Sequence, residues 1–436
     1  MRIELICIGT ELLRGKVNTH GAYISTKLAE IGLVLARETT VSDDPAEMEQ
    51  VFRAAFERSD VILNTGGLGP TFDDLTREGW SKVLSIPLER HPSLARTIHE
   101  RFRKRGLKMP PENVRQADVL RGARVIPNFV GTAPGQMLEQ GGRWIVLLPG
   151  PASEMVPMME GTVVPALRRK FKPRPYASFT LHTFGSPESL IDHKIRPVIR
   201  RSRSLSREEW LNFCILAHSH RVDVKAEARA GSPRRLKMIL GRVKAELSRA
   251  VGRDLYGEDD EMLESVVGSL LLRRKLKLAL AESCTGGLLG EMITRVPGSS
   301  RYFVSSVVTY SNGVKQTLLG VRRETLVRHG AVSAPTALEM ARGAQQLAAG
   351  SINSLSPIEG EGGVRGKLSK TIGLSITGIA GPDGGNRDKP VGLVFIGFAG
   401  LGRRFARRYF FHGTREDVRQ RAAMTALDLL RRELGR

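Results

Sequence analysis

Residues 297–315 have the sequence Pro-Gly-Ser-Ser-Arg-Tyr-Phe-Val-Ser-Ser-Val-Val-Thr-Tyr-Ser-Asn-Gly-Val-Lys. The β-branched and aromatic middle, 302–310, predicts a strand, and Ser-Asn-Gly at 311–313 predicts a turn or helix cap. Lys315 then falls in the first turn of a helix, where the helix dipole disfavours a charged ammonium. If the strand brings Ser300 near Tyr310 and Lys315, it assembles a hydroxyl nucleophile, a proton relay and a neutral amine base, the chemistry of a serine amidohydrolase. The alternative is a polar strand end with an ordinary surface lysine.

Length and composition predict a multidomain globular protein. The chain has 436 residues, of which 41% are hydrophobic, and this size favours two to four domains. Cys7, Cys214 and Cys284 lie far apart, so neither a disulfide framework nor a zinc cluster is indicated, and a cytoplasmic location is expected. The short apolar N-terminus does not resemble a signal peptide, and no apolar run approaches the roughly 18 residues of a membrane span.

The net charge of +22 raises the question of a nucleic-acid partner. Between residues 165 and 256 there are 21 Lys and Arg against 8 Asp and Glu, so the excess is concentrated in one segment. That segment has few aromatic residues to stack on bases. A solvated basic face is therefore the favoured interpretation, and nucleic-acid binding is the alternative.

Residues 1–170 alternate between apolar strands and helices, which predicts an α/β domain with a parallel sheet covered on both faces. Strands at 3–8, 61–64 and 144–148 each run into a glycine-containing loop, and such loops line one crevice at the carboxyl edge of the sheet. The second loop is predicted to bind an anion through backbone amides, or to be a tight turn. Its candidate ligand-binding residues are Gly66, Gly67, Gly69 and Thr71.

Four acidic side chains near these loops are candidate oxygen ligands for a divalent metal, which would hold a nucleoside diphosphate. They are Glu11, Asp44, Asp73 and Glu154. Each of them taken alone is equally compatible with a helix cap or a surface acid.

Four ordered motifs give this region its resemblance to the molybdopterin-binding-like N-terminal domain of the CinA family, the competence/damage-inducible proteins. They are Gly-Thr-Glu-Leu-Leu at 9–13, Gly-Gly-Leu-Gly-Pro-Thr at 66–71 with Asp-Asp at 73–74, Gly-Thr-Ala-Pro-Gly at 131–135, and Pro-Gly-Pro-Ala-Ser-Glu-Met at 149–155. In some members this domain is an ADP-ribose pyrophosphatase dependent on Mg, Mn or Co. The resemblance implies that activity, and that metal, for residues 1–170.

Residues 171–256 predict an α+β module, with strands at 179–184, 212–216 and 221–228 and helices at 187–200 and 233–251. The module resembles the KH-like middle domain of the same family. The Gly-x-x-Gly loop with which true KH domains hold RNA is absent from it. We therefore expect a spacer or a homodimer contact.

Residues 257–436 predict a second α/β domain, with glycine loops after strands at 276–281 and 371–376 and a surface insertion at 351–368. Each loop is either a phosphate cradle or a tight turn. The domain resembles the CinA C-terminal domain, the nicotinamide mononucleotide deamidase family. The motifs that carry this resemblance are Ala-Glu-Ser-Cys-Thr-Gly-Gly at 281–287, Pro-Gly-Ser-Ser at 297–300, Thr-Tyr-Ser-Asn at 309–312 with Lys315, Thr-Gly-Ile-Ala-Gly-Pro at 377–382 and Lys-Pro-Val-Gly at 389–392.

This resemblance implies hydrolysis of nicotinamide mononucleotide to nicotinic acid mononucleotide and ammonia, with no cofactor. Ser300 is predicted to attack the amide while Lys315 takes its proton, directly or through Tyr310, and Ser283 is the rival nucleophile. The residues predicted to bind the substrate or stabilise the oxyanion are Thr285, Gly286, Gly287, Thr377, Gly378 and Gly381. Two other functions stay open: a nucleic-acid-binding adaptor, and a pterin or nucleotide binder without turnover.

Overall fold

The computed structural model describes residues 1–202, 209–218, 220–354 and 370–435, and the fold is mixed α/β. The chain divides into two compact units, the first built mainly on Met1–Ala177 and the second on most of the remainder. No described helix combines the length and apolar character needed to cross a membrane. The insertion predicted at 351–368 lies outside the described residues, apart from the end of a helix that finishes at Ser354.

The N-terminal region contains a six-stranded sheet in the order β2-β1-β3-β8-β7-β6 and a separate antiparallel pair, β4-β5. Its strands are β1 Ile3–Ile8, β2 Leu35–Val41, β3 Val61–Thr65, β4 Leu88–Arg90, β5 Asp118–Leu120, β6 Arg124–Ile126, β7 Gly135–Gln140 and β8 Arg143–Leu148. Its helices are α1 His20–Glu30, α2 Pro45–Arg58, α3 Thr76–Leu84, α4 Pro92–Lys104, α5 Ala152–Met158 and α6 Val164–Phe171.

The apolar strands of this sheet are buried on both faces. Leu5 and Cys7 of β1 pack into one hydrophobic core, and Ile6 and Ile8 pack into another on the opposite face. The prediction of a parallel sheet is confirmed for β2, β1, β3 and β8, which pair in parallel. It is wrong for β6 and β7, which pair antiparallel at the edge. A short hairpin connects β7 to β8, and a hairpin can join only antiparallel strands.

The middle of the chain forms a four-stranded sheet in the order β10-β11-β9-β12. Its elements are β9 Tyr176–Thr183, α7 Glu188–Ser202, β10 Trp210–Ala217, β11 Val222–Arg229, α8 Pro233–Val251 and β12 Leu255–Glu258. The strand β12 is absent from the sequence-based prediction, and it pairs antiparallel with β9. It runs across the predicted domain boundary between 256 and 257.

The C-terminal sheet has the order β14-β13-β15-β16-β17. Its strands are β13 Lys277–Glu282, β14 Phe303–Val308, β15 Thr371–Gly378, β16 Leu393–Gly400 and β17 Arg403–Phe410. Its helices are α9 Leu263–Arg273, α10 Leu288–Thr294, α11 Asn312–Leu319, α12 Arg323–His329, α13 Ala334–Ser354 and α14 Arg415–Glu433.

Three parallel strands of this sheet end together. Glu282, the last residue of β13, lies opposite Val308 of β14 and Ile376 of β15. Because the carboxyl ends of parallel strands share one edge, the residues that follow β13, β14 and β15 converge there. The edge is therefore where side chains from three separate motifs can meet.

Helix α13 lies unusually close to this sheet. A Cβ added to Gly373 of β15 would lie 2.0 Å from the backbone oxygen of Ala341 in α13, and one added to Gly397 of β16 would lie 2.2 Å from that of Ala337. Ser375 Oγ also donates a hydrogen bond to the Ala337 carbonyl at 2.6 Å. Glycine on the sheet face thus allows the helix backbone to approach directly.

We predict that Gly373→Ala destabilises the C-terminal domain, because its methyl group meets backbone that cannot rotate away. The expected loss in the free energy of unfolding is about 1–3 kcal/mol, measured by urea denaturation followed by circular dichroism. Gly241→Ala in α8 is the control, since nothing lies within 4 Å of its added Cβ. A helical Gly→Ala change of that kind adds helix propensity, so an equal loss in both variants would contradict the packing argument.

Candidate functional site

Lys315 is a buried amine at the carboxyl edge of the C-terminal sheet. It lies on α11, whose N-cap Ser311 accepts a hydrogen bond from the amide of Val314. Only 1% of its surface is exposed. Its Nζ lies 2.7 Å from the carbonyl oxygen of Thr309, 3.2 Å from that of Tyr310 and 3.3 Å from Ser283 Oγ.

The surroundings of Lys315 favour the neutral amine. Burial lowers the pKa of Lys315, because the charged form loses its hydration. The nitrogen donates to three oxygens in this geometry, the carbonyls of Thr309 and Tyr310 and the hydroxyl of Ser283. Once the amine is neutral, it keeps two donors for the carbonyls, and its lone pair is free to accept the Ser283 hydroxyl. In this arrangement Lys315 can act as a base toward Ser283.

Ser283 is placed by the sheet. It directly follows β13, and its amide donates to the carbonyl of Ile376 in β15 at 3.0 Å. Its carbonyl accepts the amide of Gly286 at 3.1 Å, which closes the turn that leads into α10. Only 9% of Ser283 is exposed. The hydroxyl therefore has a fixed backbone and one buried amine beside it.

Ser300 is not part of this arrangement. It lies exposed in a short 3₁₀ helix, Ser299–Arg301, that precedes β14, whereas Lys315 follows the other end of that strand. Lys277, the first residue of β13, donates its Nζ to the Arg301 carbonyl at 2.7 Å, which anchors this turn at the amino edge of the sheet. A six-residue strand spans about 20 Å at roughly 3.3 Å per residue. The expected proximity of Ser300 to Lys315 is therefore wrong, and the hydroxyl that contacts Lys315 Nζ is that of Ser283.

Tyr310 contributes its backbone to the Lys315 site. Its carbonyl accepts from Lys315, while its hydroxyl, on a side chain that is 64% exposed, accepts from Arg415 Nη2 at 3.3 Å. Arg415 Nη1 donates in turn to the Gly381 carbonyl at 2.6 Å. The predicted proton relay through the Tyr310 hydroxyl is not formed in this geometry, because that hydroxyl contacts Arg415 instead.

The buried carboxylate of Glu282 accepts hydrogen bonds from backbone amides at the start of α10. It accepts from the amides of Gly287, Leu289 and Gly290 at 3.0, 3.1 and 2.8 Å, and from Ser306 Oγ at 2.9 Å. The amide of Gly286 donates to the Ser283 carbonyl. The prediction that the amides of Gly286 and Gly287 hold a phosphate or an oxyanion is thus wrong, because both amides already have partners.

The remaining predicted substrate residues surround the same edge. Thr285 is fully buried, its Oγ1 has no hydrogen-bond partner within the described chain, and its carbonyl accepts from Arg419 Nη2 at 3.0 Å. Thr377 Oγ1 donates to the Ala331 carbonyl at 2.8 Å. Gly378 pairs with Val394 in the antiparallel ladder. Of this group, Thr285 has the one hydroxyl without a hydrogen-bond partner among the described residues, and that hydroxyl is buried.

The N-terminal region contains a separate cavity of about 670 Å³. The loops that follow β1, β3 and β8 line it, as the strand pattern predicts. All four predicted anion-binding residues line it as well, namely Gly66, Gly67, Gly69 and Thr71.

Arg77 and Thr76 orient the loop after β3. Arg77 is fully buried and donates to the carbonyls of Leu68 and Gly69, each at 2.9 Å. Thr76 donates through Oγ1 to the Gly66 carbonyl and through its amide to the Gly67 carbonyl. In a trans peptide the N–H points opposite to the C=O. The amides of residues 67–69 are therefore turned away from α3, which suits an anion.

The acidic residues at this cavity do not form the predicted metal site. Glu11, Asp73 and Glu154 line the cavity, but Asp44 caps α2 by accepting from the amides of Ala46 and Glu47. Asp43 lines the cavity in place of Asp44. Among the described residues, no group of three or more His, Cys, Asp or Glu side chains is positioned to hold a metal ion. The predicted quartet is therefore wrong as a set of ligands.

Sequence analysis missed four residues that shape these two sites. They are Glu282, Arg415, Arg77 and His20. His20 lines the N-terminal cavity with its Nδ1 3.0 Å from Thr65 Oγ1, and burial lowers its pKa. A charged residue inside an apolar strand, as in the case of Glu282, was a signal that could have been used.

Comparisons with known proteins cover the whole chain. The family model of the CinA C-terminal domain matches residues 260–360 and 357–434, and that of the probable molybdopterin binding domain matches 4–169. A CinA-like protein of Endomicrobium trichonymphae is 40% identical over 444 residues, covering 100% of this chain and 99% of the relative. A putative competence-damage inducible protein of Caldanaerobacter subterraneus subsp. tengcongensis is 39% identical over 435 residues, covering 100% and 98%. The resemblance to the CinA family is confirmed for the N-terminal and C-terminal domains, and the KH-like resemblance of the middle domain stays a prediction.

Solved structures similar to this chain match only part of it. The CinA protein with unknown function from Thermoplasma acidophilum is 34% identical, covers 37% of this chain and 97% of its own, and has a TM-score of 0.35. A competence-damaged protein (CinA) superfamily protein from Escherichia coli is 27% identical, covers 42% and 97%, and has a TM-score of 0.33.

We predict that Lys315→Met removes a pH dependence from the stability of the C-terminal domain. The folded-state pKa of Lys315 is lowered, so between that value and the ordinary lysine pKa the unfolded chain binds more protons. The free energy of unfolding of the wild type should therefore rise with pH across this window. The variant should lack that rise and be at least as stable at neutral pH, as measured by thermal unfolding at a series of pH values. Matching slopes in both proteins would show that Lys315 stays charged.

Proposed function

Because this chain belongs to the CinA family, we propose that its C-terminal domain is a serine amidohydrolase that converts nicotinamide mononucleotide to nicotinic acid mononucleotide and ammonia. The observation that carries the proposal is the 3.3 Å separation between Lys315 Nζ and Ser283 Oγ. A hydroxyl beside a buried amine of lowered pKa is the arrangement that nucleophilic attack on a carboxamide requires.

In the first step Ser283 Oγ attacks the carboxamide carbon of the substrate, and Lys315 Nζ takes the hydroxyl proton. The Thr309 and Tyr310 carbonyls stabilise the ammonium that forms, since both already accept from this nitrogen. Collapse of the tetrahedral adduct breaks the C–N bond. Lys315 returns the proton to the departing nitrogen, so ammonia leaves and an acyl ester on Ser283 remains.

In the second step water replaces ammonia. Lys315, neutral again, takes a proton from a water molecule as its oxygen attacks the ester carbon. The ester bond breaks, Ser283 regains its proton from Lys315, and nicotinic acid mononucleotide leaves; its carboxyl proton passes to the solvent, where the released ammonia takes it up. The net reaction consumes one water and one amide.

Burial makes Cys284 a poor rival to Ser283. It raises the pKa of the Cys284 thiol to about 12, so the thiolate is scarcely populated near neutral pH. The neighbouring hydroxyl, which contacts Lys315, is the better nucleophile.

For the N-terminal domain we propose binding of a nucleoside diphosphate, with ADP-ribose as the family-derived candidate. The support is the glycine loop held by Arg77 and Thr76 beside a cavity of about 670 Å³. Because the acidic residues do not fit a metal cluster, no step through a metal is assigned to this domain. The homodimer stays a prediction, as does the absence of a nucleic-acid partner.

We predict that Ser283→Ala abolishes ammonia release from nicotinamide mononucleotide, with a loss of about 10³-fold or more in kcat, because a nucleophile is removed from a cooperating pair. Ser300→Ala is the matched control and should retain the parent rate. Ammonia and nicotinic acid mononucleotide are quantified together. A normal rate in Ser283→Ala, or a lost rate in Ser300→Ala alone, would overturn the assignment.

We also predict how kcat/KM in this assay depends on pH. Since only neutral Lys315 accepts the Ser283 proton, kcat/KM should rise with pH through the lowered pKa of Lys315 and level off above it. The rise in kcat/KM should occur at pH values well below the ordinary lysine pKa. A rate that falls as pH increases through that range would argue against a lysine base.

We predict that ADP-ribose binds to the N-terminal unit without added metal. Binding is measured by isothermal titration, and AMP plus ribose 5-phosphate are sought with and without Mg²⁺, Mn²⁺ or Co²⁺. Arg77→Met should weaken binding by about tenfold or more, because the loop carbonyls lose their donor and the amides lose their orientation. Unchanged affinity in Arg77→Met, with thermal stability preserved, would contradict the role assigned to the loop.

A further inference from the structure

A second cavity lies within the C-terminal compact unit and has no part in the chemistry described above. Its volume is about 670 Å³, and its walls come from the segment after β9, the β10–β11 hairpin, β17 and the last three turns of α14. This volume falls in the range of roughly 300–1,000 Å³ that small-molecule sites occupy. Ser283 and Lys315 do not line it.

The charged walls of this cavity are predominantly positive. Arg221, Arg407, Arg421 and Arg432 line it, against two acids, Glu188 and Asp428. Asp428 already accepts from Arg431 at 2.6 Å and from Arg432 at 2.7 Å. Its charge is therefore neutralised by arginines and does not compensate the others.

Two of the four arginines are less tightly engaged with acids than the others. Arg407 pairs with Glu433 at 3.8 Å, but that carboxylate also pairs with Arg403, and Arg421 forms no ion pair within the described residues. The other two are engaged, Arg221 with Asp223 at 3.2 Å and Arg432 with Asp428. Like charges facing one cavity repel, and an anion between them relieves that repulsion. Guanidinium groups bind phosphate oxygens in bidentate fashion, which favours a phosphate over a simple halide.

An aromatic wall adjoins the arginines. The rings of Tyr409 and Phe411 lie 5.9 Å apart with an interplanar angle of 6°. Both residues are only partly buried and line the same cavity as Arg407, two residues before Tyr409 on one strand face. A flat heteroaromatic ring can pack against such a surface while a phosphate attached to it reaches the guanidinium groups.

From this juxtaposition we propose that the cavity between β17 and α14 is a nucleotide-binding site, in which Arg407 and Arg421 hold the phosphate and Tyr409 and Phe411 pack against the base. The ligand class is a nucleoside phosphate. This site is distinct from the Ser283–Lys315 pair and from the N-terminal cavity, and it does not depend on the amidohydrolase activity.

The test is hydrogen–deuterium exchange of the full chain with AMP as the probe, because the method reports which segment is protected. AMP should slow exchange in peptides that cover Arg403–Phe410. In Arg407→Gln/Arg421→Gln the AMP concentration for half-maximal protection of these peptides should rise about tenfold or more. Arg408→Gln is the matched control, since it changes an arginine of the same strand on the opposite face and should leave the protection unchanged.

Three results would overturn the proposal: no protection of these peptides in the wild type, equal protection in the double variant, or an equal loss in Arg408→Gln. Inorganic pyrophosphate supplies a second arm. Half-maximal protection at the same concentration as with AMP would refute the role of the aromatic wall. Should the double variant unfold, Arg407→Gln alone serves, because its side chain is 52% exposed and tolerates substitution.

Discussion

The desolvation of one amine governs the C-terminal domain. Only 1% of the surface of Lys315 is exposed, so a charge on this residue carries a large desolvation cost. Two backbone carbonyls and one hydroxyl surround its nitrogen. The carbonyls come from the residues that follow β14, and the hydroxyl comes from the residue that follows β13. Their meeting depends on strands that run parallel and end in register. The sheet therefore does more than form a core, because its register sets the chemistry of Lys315.

Two buried charged side chains orient the glycine loops of the N-terminal and C-terminal sites in opposite ways. Arg77 binds loop carbonyls in the N-terminal domain, so the amides of that loop are turned outward. Glu282 accepts hydrogen bonds from loop amides in the C-terminal domain, so those amides cannot donate to a ligand. Two glycine loops with similar sequences thus have different electrostatic character. The first is suited to an anion, and the second fixes the backbone beside Ser283.

Much of the fold could be predicted from the sequence. Continuous apolar runs such as β1 and β3 indicated strands buried on both faces, and glycine loops after them indicated one crevice. The parallel pairing of β1, β3 and β8 follows from that pattern. The strands β2, β4, β5, β6, β7 and β12 were missed, because strands of three to seven residues with mixed polarity carry little periodic signal.

The side chains of the candidate site could be predicted only in part. The sequence offered Ser300, Tyr310 and Lys315 as a candidate triplet, with Ser283 as the rival nucleophile and an ordinary surface lysine as the alternative. The resemblance to the CinA family then favoured the triplet. Only the three-dimensional arrangement showed which serine contacts Lys315, since Ser300 precedes β14 and Ser283 follows β13, at opposite edges of the sheet. In the same way, the sequence made Asp44 a candidate metal ligand, whereas in the fold its carboxylate caps α2 and does not line the cavity. A linear chain records which groups are present; the direction in which each strand runs decides which of them meet.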